Sequence, residues 1–172
     1  MHPCARCALT QRTCCQQAEV VVTTGDVGRI AVHAGRDDFW ERRPAGPEYA
    51  AEHRGDPEWL TGTLAADGTR RVLRRRPDGS CGFLGEAGCS LPEDVRPLVC
   101  RLYPFDYTAA GLAPAPSAHY CPTALLQPPG QTMVDVLGMS AEDAERWRRM
   151  LYAELRQERH GDASRTHLRS AG

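Results

Sequence analysis

Four cysteines stand near the start of the chain, Cys4, Cys7, Cys14 and Cys15, and four more follow at Cys81, Cys89, Cys100 and Cys121. A thiolate is a soft anionic ligand, and a Cys-x2-Cys turn brings two sulfurs to one ion without stretching the backbone. The spacing runs C-x2-C-x6-C-C, then C-x7-C-x10-C, then one more cysteine after twenty residues. Eight thiols divide naturally into two four-sulfur sites, and both zinc and an iron–sulfur cluster accept such a set. Neighbouring side chains point to opposite sides of a strand and diverge by about 100° on a helix. Cys14 and Cys15 therefore suit bridging two sites, or one ligand and one spare thiol, better than serving one ion together. His2 and His119 each lie two residues before a cysteine and could replace a thiol. Arg6, Arg12 and Arg101 flank ligands and could donate charge-assisted hydrogen bonds to sulfur, Arg101 being the one most firmly held.

An even number of cysteines also fits disulfides. The opening Met1-His2-Pro3-Cys4 leaves no space for the charged and apolar regions of an export signal, so the expectation is a cytoplasmic chain with reduced thiols. No stretch approaches the roughly 18 apolar residues of a membrane span. Net charge is −1, which draws the chain toward neither nucleic acid nor anionic membrane. All 21 basic residues are arginine, and with no lysine there is no Schiff-base catalysis. Only 6% of the 172 residues are aromatic, so bound metal would be a useful source of stability.

The elements that must position these thiols are short. Residues 1–15 read as knuckles and turns, and Glu19–Thr23 as a buried strand. Thr24 is expected to cap a helix with Val27, Ile30 and Ala31 inward, stopped by Gly35. A second short helix is expected from Asp37 to about Arg43, with Phe39 and Trp40 in the core, then an irregular loop over Pro44–Asp56. Asp67-Gly68 predicts a hairpin turn, with Thr63-Leu64 and Val72-Leu73 flanking it. Arg70, Arg71, Arg74, Arg75 and Arg76 read as a solvated strand face rather than a nucleic-acid surface. A tighter hairpin runs from Cys81 to Leu91, with a thiol near each end. Pro92-Glu93-Asp94 begins a helical turn, and residues 96–105 are dense in core side chains. Residues 106–120 read as extended. After Pro128-Pro129-Gly130 comes a helix started by Ser140 and Asp143, with Ala144, Trp147, Leu151 and Leu155 on one face and a stop near His160-Gly161.

Cys4-x2-Cys7…Cys14-Cys15, Cys81-Gly-Phe83-Leu84…Cys89-Ser-Leu91 and Arg96-Pro97-Leu98-Val99-Cys100-Arg101-Leu102-Tyr103-Pro104-Phe105 together resemble the YkgJ-type cysteine-cluster family, described as a zinc- or iron-chelating domain. The resemblance covers roughly residues 4–122. It implies eight metal-directed cysteines: Cys4, Cys7, Cys14, Cys15, Cys81, Cys89, Cys100 and Cys121. The gap between Cys7 and Cys14 is longer than the two residues often seen in that family, which implies a looser first knuckle. The cluster also resembles part of the bacterial flagellin lysine N-methylases, which implies an iron–sulfur-dependent protein-modifying enzyme as an alternative. No glycine-rich strand–loop–helix for a methyl-donor nucleotide is visible. The expectation is a small, irregular α+β domain stapled by metal, with short hairpins, short helices and a longer C-terminal helix. It divides into a cysteine-cluster domain (1–127), a helical extension (128–160) and a disordered tail (161–172). The expected function is chelation of zinc or iron, the latter as an ion or a 4Fe–4S cluster, in a structural, carrier or electron-transfer role. Metal ions are the expected partners, with no nucleic acid, no membrane and no identified protein partner.

Overall fold

The computed structural model describes residues 6–7, 13–113 and 126–169, with side chains as far as Glu158. The fold is α+β, helices combined with small antiparallel strand pairs. Helices α1 (Cys14–Gln17) and α2 (Thr24–Ala34) come first. Strand β1 (Trp40–Pro44), helices α3 (Tyr49–Glu52) and α4 (Pro57–Thr63), and strand β2 (Thr69–Leu73) follow. The tight hairpin β3 (Leu84–Gly85) and β4 (Gly88–Cys89) precedes α5 (Leu98–Leu102). A second small hairpin, β5 (Tyr107–Thr108) and β6 (Gly111–Leu112), precedes α6 (Met133–Leu137) and the long C-terminal α7 (Ala141–Arg169).

The organising ladder is β1 against β2, with Trp40 opposite Leu73 and Pro44 opposite Thr69. This corrects the helix expected over 37–43: pairing with β2 outweighs the weak local preference of a segment rich in Arg and closed by Pro44. Residues 20–22 join the other edge of β2, with Val21 opposite Val72 and the Leu73 amide donating to the Val20 carbonyl at 2.9 Å. The expected strand at Glu19–Thr23 is thus a short bridge. The turn at Asp67-Gly68 forms, with Gly68 in the left-handed region at φ 76°. The expected hairpin is present as a single bridge, Leu64 opposite Arg70, because Thr63 closes α4, and the main partner of β2 is β1.

Successive residues of an extended segment face opposite sides. Val21 and Val72 therefore enter a larger core with Trp59, Leu98, Leu102, Trp147, Leu151 and Leu155. Val22 and Leu73 enter a smaller core with Ile30, Phe39, Cys81, Phe83 and Leu91. Helix α7 supplies much of the larger core and runs on through Gly161, beyond the stop expected there.

Thr23, not Thr24, caps α2, and its capping box closes with Asp26. Asp26 is fully buried; it accepts from the Thr23 and Leu98 amides, each at 3.1 Å, and from Arg29 at 2.6 Å. One carboxylate thus joins the start of α2 to the start of α5.

The basic residues near β2 are only partly solvated. Arg70 is buried, paired with Glu19 and stacked 4.3 Å from the centre of the Tyr49 ring. Arg71 pairs with Glu158 of α7 at 2.8 Å. Among the described residues, no helix is long and apolar enough to cross a membrane.

Candidate metal centre

Cys14 and Cys15 occupy the first two positions of α1, where the Gln16 side chain accepts the Thr13 amide at 2.9 Å and closes the turn. The Cys81 amide donates to the Cys15 carbonyl at 2.8 Å, so residues distant along the chain become backbone neighbours. Arg75 secures this junction by donating to the carbonyls of Gln16 (3.2 Å), Gly79 (2.5 Å) and Ala18. Cys89 closes the β3–β4 hairpin opposite Leu84. Gly88 makes that turn possible with φ 95°, a conformation side chains resist.

Helix α5 presents the next thiol by its own periodicity. Leu98 and Leu102, four residues apart, share the face that enters the larger core. Cys100 lies about 200° from Leu98 on that helix and opens on the opposite side. There it lines a cavity of about 410 Å³ with Cys7, Cys14, Cys15, Cys81 and Cys89. The structure therefore brings six of the eight expected cysteines to one cavity, with Leu126 and Met133 packed beside Cys7. Cys4 and Cys121 lie outside the described residues, as do His2, His119 and Arg12. No disulfide joins any two of the described cysteines.

The thiols differ in acidity. A hydrogen bond from Cys14 is the main cause holding Cys15 at about 7, against burial and with help from Thr13 and the Arg96 charge. Burial pushes Cys81 up to about 11. Burial also raises Cys89, against a backbone amide and the nearby charge of Arg96. Cys100 is raised too, by burial and by the negative charge that Cys15, Cys81 and Cys89 would carry. These four sulfurs are close enough to feel one another.

Among the described residues, no three or more Cys, His, Asp or Glu side chains are gathered at metal-ligand spacing. The donor chemistry nevertheless fits a thiophilic ion: soft sulfurs and arginine charge around one cavity. Binding would require the thiols to draw together.

Two arginines escaped the sequence reading. Arg101 is held as expected, but it donates to the carbonyls of Arg96 (2.8 Å) and Asp94 rather than to sulfur. Arg96 lines the cavity of the thiols together with Arg101, and its position four before Cys100 was the available signal. Arg75 acts on the backbone around Cys81, and only the fold places it there.

Comparison with protein-family models, with curated proteins and with solved structures finds no match to this chain.

Proposed function

We propose that this chain is a metal-binding protein of the YkgJ-type cysteine-cluster kind, taking zinc or iron through Cys4, Cys7, Cys14, Cys15, Cys81, Cys89, Cys100 and Cys121. The observation that carries this reading is the convergence of Cys7, Cys14, Cys15, Cys81, Cys89 and Cys100, from separate parts of the chain, on one cavity. Ordinary core packing disperses small residues through a fold, whereas here the sulfurs share a wall. Cys15, Cys81, Cys89 and Cys100 are assigned to one centre in this reading because all four line that cavity. A bound ion or cluster would supply a cross-link between α1, the β3–β4 hairpin and α5, and in an iron–sulfur form a redox couple. A cytoplasmic setting belongs to this reading, since ligation needs reduced thiols.

The test is metal analysis of protein prepared without oxygen. Zinc or iron in stoichiometric amount supports the reading, and broad visible absorption with acid-labile sulfide marks the cluster form. Absence of both metals, together with failure of the reduced protein to take up either, refutes it. Cys100→Ser and Cys4→Ser are expected to lower metal content and the melting temperature together, because ligation and folding are coupled. Unchanged stoichiometry and melting in both variants would contradict their assignment.

A further inference from the structure

We propose that Asp26 is a positioning residue for the thiol cavity, one end of a polar link by which the C-terminal helix α7 sets the orientation of Cys100. The link consists of hydrogen bonds within the protein and exists whether or not the cavity takes an ion. Helix α5 has five residues and is anchored by Leu98 and Leu102, both fully buried in the larger core. Two apolar contacts on one face fix the depth of so short a helix but do little to stop it turning about its axis, because burial is non-directional. Rotation is what decides whether Cys100, on the opposite side, faces the cavity.

The Pro97–Leu98 peptide group supplies the missing restraint. Its carbonyl accepts from the Cys100 amide at 2.9 Å and the Arg101 amide at 3.1 Å, and its N–H donates to Asp26 Oδ1 at 3.1 Å. Pro97 offers no capping side chain, so the carboxylate of Asp26, 72 residues away along the chain, caps α5 instead. Asp26 is held in turn. Its Oδ1 also accepts from Arg29 Nη2 at 2.6 Å, and Arg29 Nη1 donates to Glu154 Oε1 of α7 at 2.5 Å. Thr23, whose amide donates to Asp26 at 3.1 Å, donates its hydroxyl to Glu154. The side chains of Asp26, Arg29 and Glu154 are 0%, 23% and 14% exposed, so water screens these charges weakly. Gly25 makes room for the link, since a Cβ there would lie 2.3 Å from the Cδ of Glu154. Hydrogen bonds thus run without a break from α7 through Arg29 and Asp26 to the peptide group that holds the Cys100 amide. Cys81 and Cys89 are held differently, through the Cys15 carbonyl and through the β3–β4 pairing.

The experiment labels reduced, metal-free protein with iodoacetamide under native conditions and reads the rate at each cysteine by peptide mass spectrometry. Wild type is compared with Asp26→Asn, Glu154→Gln, Gly25→Ala and the Gly25→Ala/Glu154→Gln double variant. Loss of a charge-assisted hydrogen bond frees a local opening, so Asp26→Asn is expected to raise the Cys100 rate about 10-fold relative to Cys81 and Cys89. Glu154→Gln and Gly25→Ala cut the link at its α7 end and are expected to raise the same ratio; they decide the matter if Asp26→Asn does not fold. The double variant should match Glu154→Gln, because both changes break one connection. Arg156→Gln, which breaks a surface pair between α7 and Glu58, serves as the control and should keep the wild-type ratio. An unchanged Cys100 ratio in Glu154→Gln and Gly25→Ala overturns the proposal. So does equal acceleration at all three cysteines, the sign of general loosening, or an additive effect in the double variant. The labelling ratios are read without metal, so the link and the metal-binding reading can fail separately.

Discussion

At the scale of single residues, the molecule invests its arginines in fixed contacts. Glu19 accepts from Arg43 at 2.8 Å and from the buried Arg70, gathering residues on both sides of the β1–β2 ladder. Partial burial pushes its carboxyl up, but the guanidinium groups of Arg43 and Arg70 prevail and hold it below the ordinary 4.5. The unfolded chain lacks these partners and takes up its proton first as pH falls. The stabilisation from Glu19 is therefore complete above about pH 5 and is lost as pH drops through the lower folded value. Glu19→Gln is expected to cost about 1 kcal/mol at neutral pH. The difference from wild type should shrink toward zero in urea melts run from about pH 6 down to pH 3. A difference that stays constant across that range would contradict the assignment.

At the scale of elements, α4 and α7 approach one another closely. A Cβ added at Gly62 would lie 2.6 Å from the Cβ of Leu155, so the two helices meet there with no space for a methyl group. Gly62→Ala is expected to lower stability by about 1–3 kcal/mol, as overpacking of a tight contact does. A thermal melt reads the effect directly, and a melting temperature equal to or above that of wild type would show that the helices can separate at little cost. The same contact explains why α7, seen in the sequence as an extension after residue 128, shares its core with Trp59, Leu98 and Leu102.

At the scale of the whole molecule, two cores lie on opposite sides of one short ladder, and the cysteine cavity opens beside the smaller one. The larger core needs no metal: Trp147, Leu151, Tyr152 and Leu155 of α7 bury fully against the rest of the fold. The segments bearing Cys15, Cys81 and Cys89 are short and packed on the smaller of the two cores, so their order should depend on occupancy. Zinc at about 100 times its dissociation constant is expected to add about 2.7 kcal/mol to stability, and chelation should remove it. Hydrogen exchange should localise the gain to residues 13–18 and 80–91. A melting temperature independent of zinc, in protein shown to bind it, would mean that both states bind equally.

The sequence by itself determined the chemistry on offer and the local stops and starts. Eight thiols and their spacing, Gly35 as a helix end, the turn at Asp67-Gly68, and the Ala144–Leu155 apolar stripe are all set by residue type or short-range periodicity. Only the tertiary structure decided that Trp40–Pro44 is a strand, since its partner lies across two intervening helices. The same holds for Arg75 securing the backbone beside Cys81, and for Cys15 meeting Cys81 through a backbone hydrogen bond. The physical reason is common to all three. Turns and helix caps draw their energy from neighbours along the chain, whereas strand pairing and charge placement depend on groups that come close only once the chain has folded.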